Sequence, residues 1–283
     1  MILALDVGNT ETVIGLFKAG DLLEHWRVAS RPERSIDEFG LLFRGLLRES
    51  GFSTELVRVA VIGSVVPPLT AVFSETCERH LGTKVAIIDS TTPLPIRLGV
   101  DEPRSVGADR IANTIAAATL YRRDTIAVDL GTATTFDCIT ADGVFVGGII
   151  APGVRTGADM LVRSTAKLPR VDLEPPERVI GRTTESSLRS GIFFGAVDVI
   201  DGLVRRITTA WSRPEAPLVV ATGGLAPVIS PFCETIDRVE PFLTLYGLDL
   251  AYRHLEERES GVRITPLKTG RVRRRFGATP PPL

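Results

Sequence analysis

The sequence predicts an α/β fold of two duplicated lobes, each with a mixed β-sheet flanked by helices. Two observations carry this prediction, namely a long internal repeat and the alternation of strand and helix patterns after each copy of it. A third observation is the composition, because 44% of the 283 residues are hydrophobic and only 24% are charged, as in folded chains. A chain of this length can form one large domain or two lobes with separate cores.

The repeat consists of two copies of a strand–turn–strand–turn–strand pattern, offset by 123 residues. Each copy begins with an apolar run that ends in an Asp-x-Gly turn, at Asp6 in the first copy and at Asp129 in the second. A Thr-bearing turn, a second strand, a Gly-containing turn and a third strand follow in both. A period this long excludes a solenoid and indicates two related lobes.

Strand and helix patterns alternate behind each copy, as in α/β lobes. The predicted elements are, in chain order, a strand at residues 57–62, a helix at 69–81, a strand at 84–89, a helix at 187–211, a strand at 218–221 and a helix at 245–259. An Ala-rich helix at residues 111–121 borders the two lobes. The expected domains are therefore an N-terminal lobe at 1–113, a C-terminal lobe at 114–259 and a tail at 260–283.

The net charge of −1 conceals an uneven distribution. Residues 261–283 contain six basic and no acidic residues, which leaves 27 basic against 34 acidic residues, a net of −7, in the first 260. An acidic body repels nucleic acid, so we do not expect a nucleic-acid partner. The basic tail contains several prolines and is expected to be extended and flexible.

The composition also excludes several classes of protein. The longest stretch without a charge, residues 216–233, is interrupted by prolines and glycines, so no membrane span is expected. Asp6 follows the first residue too closely for the apolar core of a secretory signal. The three cysteines form no C-x-x-C pair and the three histidines show no metal-ligand spacing. We therefore expect a cytoplasmic protein without a disulfide framework or a zinc site.

The two Asp-x-Gly turns together predict a clamp for nucleotide phosphates. Glycine lets backbone amides approach phosphate oxygens, threonine hydroxyls donate hydrogen bonds, and the carboxylate orients a hydrated cation. One such tripeptide is most often an ordinary turn, so the prediction depends on the pair. The Gly223-Gly224 pair after the strand at 218–221 either admits adenine or forms a simple strand-to-helix turn. Walker A, G-x-G-x-x-G and G-x-S-x-G motifs are absent, which removes support for other nucleotide and hydrolase folds.

Two further segments are candidates for substrate binding. In Gly107-Ala108-Asp109-Arg110, the carboxylate could accept a proton from a substrate hydroxyl and the guanidinium could hold a substrate carboxylate. A helix-start aspartate beside a solvated arginine has the same spacing, so both interpretations stay open on spacing alone. The glycines at residues 147–153 either line a substrate cleft or form a loop.

Taken together, these motifs resemble those of the type III pantothenate kinase family. The resemblance rests on Asp6-Val7-Gly8-Asn9-Thr10, Gly107-Ala108-Asp109-Arg110, residues 129–135, residues 147–153 and Thr222-Gly223-Gly224. Further landmarks are residues 64–67, 166–169, 181–184 and 243–248, all in the family's order between residues 1 and 255. The Gly-x-Asp-Arg motif combined with both phosphate turns is specific, whereas none of them is specific alone.

The resemblance implies an actin-like ATPase (ribonuclease H-like) fold and a homodimer. It also implies ATP-dependent phosphorylation of pantothenate to 4′-phosphopantothenate, the first step of coenzyme A biosynthesis. The implied cofactors are Mg²⁺ and a monovalent cation, K⁺ or NH₄⁺.

The resemblance also implies roles for individual residues. ATP would be bound by Asp6, Val7, Gly8, Asn9, Thr10, Glu11, Thr12, Val13 and Thr132, with Asp6 near the Mg²⁺ ion. Pantothenate would be bound by Val100, Gly107, Ala108, Asp109, Arg110 and Thr184, with Asp109 as the general base. Asp129 would bind the monovalent cation. Many family members have an aromatic residue where this chain has Val100, so one pantothenate contact is expected to be missing.

Two other functions remain open from the sequence. One is a different small-molecule kinase of the same superfamily, against which the segment 107–110 argues. The other is a non-enzymatic transcriptional accessory protein whose Arg-rich tail touches nucleic acid, against which the acidic body argues.

Overall fold

The computed structural model describes residues 1–260, so the predicted tail lies outside the described residues apart from Ser260. The described chain divides into two compact units. The first contains Met1–Leu120, Asp142–Phe145 and the helix Leu243–Ser260. The second contains Tyr121–Ala141 and Val146–Phe242.

Eleven strands and seven α-helices occur within residues 1–260. The strands are β1 (Ile2–Val7), β2 (Glu11–Lys18), β3 (Asp21–Ala29), β4 (Val59–Ser64), β5 (Lys84–Ile88), β6 (Arg97–Leu98), β7 (Thr125–Leu130), β8 (Ala133–Ile139), β9 (Val144–Pro152), β10 (Leu218–Thr222) and β11 (Arg238–Val239). The helices are α1 (Ile36–Glu49), α2 (Pro67–Thr76), α3 (Ala108–Tyr121), α4 (Val154–Arg163), α5 (Thr184–Ala210), α6 (Ala226–Ile229) and α7 (Leu243–Ser260). None of these helices is both long and apolar enough to cross a membrane.

The first unit contains a five-stranded mixed sheet in the order β3-β2-β1-β4-β5. The strands β1, β2 and β3 form antiparallel hairpins, whereas β4 and β5 run parallel to β1. The carboxyl ends of β1, β4 and β5 therefore share one edge, and Asp6 lies at that edge. Residues of β1 and β4 are almost wholly buried, as expected for central parallel strands.

Helix α1 was not predicted from the sequence, although the sequence contains its start signal. The Ser35 hydroxyl accepts a hydrogen bond from the Glu38 amide, and the Glu38 carboxylate accepts one from the Ser35 amide at 2.8 Å. This capping box satisfies amides that would otherwise lack partners at the helix start. Phe39 and Phe43 of α1 then pack on Phe73 of α2, with ring centroids 4.6 and 5.5 Å away. The contact joins both helices to the core of the first unit.

The helix predicted at residues 69–81 is confirmed in position but changes geometry along its length. It is α-helical over Pro67–Thr76 and continues as a π-helical turn over Cys77–Leu81. Gly82 ends it in the left-handed conformation, with φ of 66°, which glycine adopts without steric cost.

The second unit is built on β7, with β8 antiparallel to it on one side and β10 parallel to it on the other. The strand order from β11 to β9 is β11-β10-β7-β8-β9. Helix α5 covers this sheet with an apolar stripe at three- and four-residue spacing. The stripe consists of Phe193, Val197, Ile200, Val204 and Ile207, all buried. The first two residues of β9 belong to the first unit, where they pair with β6.

The two copies of the repeat are equivalent, except that the offset of the second strand differs by one residue. The first strands, β1 and β7, and the starts of the third strands, β3 and β9, are offset by 123 residues. In the second strands the offset is 122, since Thr12 pairs with Val7 whereas Thr134 pairs with Leu130. The second hairpin is therefore one residue shorter, and Thr12 corresponds to Thr134 rather than to Thr135.

Candidate functional site

The Asp6 turn lies at the carboxyl edge of the first sheet. Asp6 pairs with Val13 on β2 and with Gly63 on β4, and its side chain is partly exposed. The Gly8 amide donates to the Glu11 carbonyl at 3.1 Å, which closes a tight turn. Between them, Asn9 and Thr10 are exposed at the tip of the turn, as is Glu11. A carboxylate beside an exposed glycine-containing turn suits the phosphates and hydrated cation predicted for this segment.

Thr12 differs from the other turn residues because it is completely buried. Its hydroxyl shares a hydrogen bond of 2.9 Å with the hydroxyl of Ser30. The neighbouring Val13 is partly buried. The Thr12 side chain therefore supports the turn from inside the first unit.

The Gly107–Arg110 segment lies at the same edge of the first sheet as the Asp6 turn. The Val65 amide, just after β4, donates to the Val7 carbonyl of β1 at 3.1 Å. A Cβ atom on Gly107 would lie 3.2 Å from Cγ1 of Val65 and 2.5 Å from Oδ1 of Asp109. The strand ends thus bring Asp109 close to the Asp6 turn, across more than a hundred residues of sequence.

Asp109 is held in a fixed and partly desolvated position at the start of α3. Its Oδ1 atom accepts a hydrogen bond of 2.8 Å from the Arg110 amide. Burial raises the pKa of this carboxyl group, and the Arg110 amide and charge oppose part of that rise. A carboxylate with a raised pKa is a better proton acceptor, as a general base requires.

Arg110 and Gly99, the residue before Val100, both contact Phe145 in the first unit. The Arg110 guanidinium carbon lies 4.8 Å from the centre of the Phe145 ring. The Phe145 carbonyl accepts a hydrogen bond of 2.8 Å from the amide of Gly99, the residue before Val100. The structure therefore brings Val100, Arg110 and Asp109 into one region of the first unit, with Phe145 as the aromatic residue there.

The Asp129 turn in the second unit repeats the Asp6 turn. Asp129 pairs with Thr135 and with Thr222, and the Gly131 amide donates to the Ala133 carbonyl at 3.0 Å. Gly223 packs against this turn with φ of 88°, and a Cβ atom on it would lie 2.5 Å from Oδ1 of Asp129. Gly223 is thus required by packing against Asp129, independently of any nucleotide.

Thr132 lies at the tip of that turn and is held by the next segment of the second unit. The Thr156 hydroxyl in α4 donates to the Thr132 carbonyl at 2.6 Å. A Cβ atom on Gly153 would overlap the same carbonyl, so glycine is required there as well. Residues 147–152 belong to strand β9 and do not form a loop, and close packing against the Thr132 turn explains Gly153.

Thr184 belongs to the second unit, where it is the first residue of α5. The preceding Thr183 caps the helix, since its hydroxyl accepts a hydrogen bond from the Ser186 amide at 3.1 Å. Thr184 itself is exposed.

Two supporting residues of this site, Thr156 and Phe145, carry no recognisable signal in the sequence. Thr156 carries no spacing signal that connects it with Thr132. Phe145 lies between two glycine turns and looks like an ordinary strand residue, although an arginine stacks on it. Thr156 is recognised only from the contact of α4 with the Thr132 turn, and Phe145 only from its contact with Arg110.

Comparison with known proteins identifies similar chains over most of this sequence. The family described as type III pantothenate kinase matches residues 2–206. A type III pantothenate kinase from Desulfosudis oleivorans is 43% identical over 249 residues, covering 88% of this chain and 97% of the relative. One from Moorella thermoacetica is 44% identical over 254 residues, covering 89% and 98%.

Solved structures at low identity share the fold. A putative Baf family transcriptional activator from Campylobacter jejuni aligns with a TM-score of 0.56 at 18% identity, over 90% of this chain and 99% of that one. The activator of 2-hydroxyisocaproyl-CoA dehydratase from Clostridium difficile, solved with ADPNP, aligns with a TM-score of 0.54 at 12% identity, over 94% and 99%. The predicted α/β class with two mixed sheets and flanking helices is confirmed.

Proposed function

The chain belongs to the type III pantothenate kinase family, and on that premise we propose how its residues phosphorylate pantothenate. The reaction transfers the γ-phosphoryl group of ATP to the primary hydroxyl of pantothenate and yields 4′-phosphopantothenate for coenzyme A biosynthesis. The observation that carries the residue assignment is the position of Asp109 beside the Asp6 turn at one edge of the first sheet.

ATP binds at the glycine turns in this proposal. In the first unit the turn from Asp6 to Val13 surrounds the phosphates, with the exposed tip at Asn9 and Thr10 in direct contact. Thr12 supports this turn from its buried side, because its hydroxyl is hydrogen-bonded to the hydroxyl of Ser30. In the second unit Thr132 contacts ATP, and its turn is pre-organised by Thr156. Fixed donors at these turns stabilise developing charge without reorganising during the reaction.

Pantothenate is held by the segment from Gly107 to Arg110, with Val100 and Thr184 as further contacts. The Arg110 guanidinium, stacked on Phe145, pairs with the pantothenate carboxylate. Phe145 is itself buried, so it supports Arg110 and does not replace the aromatic contact that many family members have at the position of Val100.

Asp109 acts as the general base. Its carboxylate orients the primary hydroxyl of pantothenate and takes the proton as the hydroxyl oxygen attacks the γ-phosphorus. A new oxygen–phosphorus bond forms, the bond to the β-phosphate oxygen breaks, and ADP leaves. Positioning and electrostatics are sufficient for such a transfer, so no covalent enzyme intermediate is needed.

The carboxylates at the two turns fit the cations that the family implies. Oxygen donors are what Mg²⁺ and K⁺ require, and Mg²⁺ is commonly bound by one carboxylate together with substrate phosphates and water. Asp6 would hold Mg²⁺ and Asp129 the monovalent cation, K⁺ or NH₄⁺. The bound cations supply positive charge that offsets the charge on the phosphates.

A homodimer in the cytoplasm completes the proposal. Helix α4 has no buried residue, and several large apolar side chains of the second unit are exposed. They are Val146, Ile150, Met160, Leu161, Val179, Ile180 and Val199. The cavity of about 400 Å³ between α4 and α5 is also lined mainly by apolar and glycine residues. Exposed apolar side chains in this number suit contact with a second copy of the chain.

The test of the reaction is direct. Purified protein is incubated with ATP and pantothenate, with and without K⁺, and the products are identified by mass. We expect 4′-phosphopantothenate and ADP in equal amounts, with more product when K⁺ is present. Phosphorylation of a sugar in preference to pantothenate would instead favour a different kinase of the superfamily.

A further inference from the structure

Three polar residues lie side by side at the carboxyl edge of the second sheet. Thr222 at the end of β10 pairs with Asp129 at the end of β7. On the other side of β10, Ala221 pairs with Val239, and the Glu240 amide donates to the Ala221 carbonyl at 2.8 Å. This hydrogen bond extends the ladder by one residue, so Glu240 lies next to Thr222.

Residues at one register level of neighbouring strands point to the same face of a sheet. The ladder therefore directs Asp129, Thr222 and Glu240 to a common face. Because neighbouring strands are about 4.8 Å apart, the backbones of Asp129 and Glu240 are separated by roughly 10 Å. The glycine turn of Gly223 and Gly224 follows Thr222, which lies between them in the strand order, and Gly224 is exposed.

The Glu240 carboxylate has few interactions for its degree of burial. One oxygen accepts a long hydrogen bond of 3.4 Å from the Phe242 amide. Within residues 1–260 no arginine, lysine or histidine nitrogen lies within ion-pair distance of it. Burial accordingly raises the pKa of Glu240. A partly buried carboxylate with so few donors can accept further hydrogen bonds from a ligand.

We infer that Glu240 accepts hydrogen bonds from the 2′- and 3′-hydroxyls of the ribose of the bound nucleotide. The inference rests on the proposed function, which puts the phosphates at the Asp129–Thr132 turn. From there the nucleotide extends along the edge of the sheet, past the Gly223 turn, towards Glu240. A carboxylate has two oxygens, so it can accept from two adjacent hydroxyls at once. Glu240 then makes the site selective for ribonucleotides.

The test measures binding directly, so that it does not depend on which substrate is phosphorylated. Dissociation constants for ATP, 2′-deoxy-ATP, 3′-deoxy-ATP and purine riboside triphosphate, which lacks the adenine amino group, are measured by calorimetry. They are compared in the wild-type protein, Glu240→Gln and Glu240→Ala. The matched control is Glu215→Gln, at an exposed glutamate of the same unit. Melting temperatures verify that each variant is folded.

In the wild type we expect the deoxy nucleotides to bind about tenfold or more weakly than ATP, as for the loss of hydrogen bonds to a charged group. In Glu240→Ala the difference in affinity between ATP and the deoxy nucleotides should disappear, and in Glu240→Gln it should shrink. Removing the carboxylate weakens the binding of ATP, whereas each deoxy nucleotide already lacks one of the hydroxyls that would bond to it. Glu215→Gln should keep the wild-type ratios. A merely structural role would weaken all four nucleotides equally.

Three results would overturn the inference. The first is equal binding of ATP and both deoxy nucleotides to the wild type. The second is an unchanged ratio of the dissociation constants of the deoxy nucleotides and ATP in Glu240→Ala. The third is that the variants lose selectivity for the adenine amino group and keep selectivity for the ribose hydroxyls. Product analysis with pantothenate on the same preparations tests the proposed function separately. A chain that binds ATP with ribose selectivity but does not phosphorylate pantothenate would contradict that function and leave the inference on Glu240 supported.

Discussion

The substitution Gly107→Ala should displace the carboxylate of Asp109, the proposed general base, without replacing that carboxylate. A Cβ atom on residue 107 would lie 2.5 Å from Oδ1 of Asp109 and 3.2 Å from Cγ1 of Val65. The backbone of Gly107 is outside the left-handed region, so alanine can adopt its conformation without strain. The substitution should therefore move the Asp109 carboxylate while the fold is retained.

The size of the effect follows from these distances. Non-bonded atoms have their optimum near 3.5–4.0 Å, so the carboxylate oxygen must move by about 1 Å to relieve the contact. A misplacement of about 1 Å in a catalytic group costs roughly 10²-fold in rate. We therefore expect kcat to fall between about tenfold and a hundredfold, while the free energy of unfolding changes by less than about 1 kcal/mol.

The assay is steady-state production of 4′-phosphopantothenate together with thermal unfolding. Gly45→Ala in α1 is the matched control, because a Cβ atom there meets nothing within 4 Å. It should leave kcat unchanged and stabilise the helix by up to about 1 kcal/mol. A folded Gly107→Ala protein with wild-type kcat would refute the placement of Asp109 at the reacting hydroxyl.

Three other predictions concern the second turn, the base and the dimer. Gly223→Ala forces a side chain into the left-handed region and against the Leu130 backbone at 2.9 Å, so unfolding experiments should show a loss of about 2 kcal/mol or more. An unchanged melting temperature would contradict the packing of Gly223 on Asp129. Because burial raises the pKa of Asp109, kcat/KM should fall on acidification and begin to do so above the ordinary aspartate range near 3.9; a profile that stays flat to pH 4 would exclude Asp109 as the base. Ile180→Asp, at a side chain 83% exposed, should convert a dimer into monomers in light scattering, whereas a monomeric wild type would refute the homodimer.

Much of the fold could be predicted from the sequence because its signals are local. Buried central strands such as β1 and β7 are continuous apolar runs, and α5 carries its core stripe at helical spacing. Helix α1 could have been predicted in the same way, since Ser35 and Glu38 form its capping box and Phe39 and Phe43 follow four residues apart.

The register of the repeat could not be predicted because threonines stand at both candidate positions. Thr135 matches Thr12 at the offset of 123, yet Thr134 occupies the equivalent place in the hairpin. Only the pairing of Leu130 with Thr134 reveals that the second turn is one residue shorter. Because threonine occupies both positions, matching identical residues cannot decide between the two registers. The register matters, since a slip of one residue moves every side chain of a strand to the other face.

Site residues that belong to a local sequence motif could be predicted, whereas residues that reach the site only through strand pairing could not. Asp6 and Asp129 follow apolar strands, and Asp109 stands in a specific motif, so each could be identified from local sequence. Glu240 reaches the edge beside Thr222 only because β11 runs parallel to β10. No spacing in the sequence connects those two residues.

The most direct test of the central claim is product formation by Asp109→Asn. Asparagine keeps the shape of aspartate but cannot take the proton, so we expect 4′-phosphopantothenate production to fall by about 10²-fold or more. The dissociation constant of ATP should stay near the wild-type value, since ATP is assigned to other residues. Near-wild-type turnover in the folded Asp109→Asn protein would contradict the account.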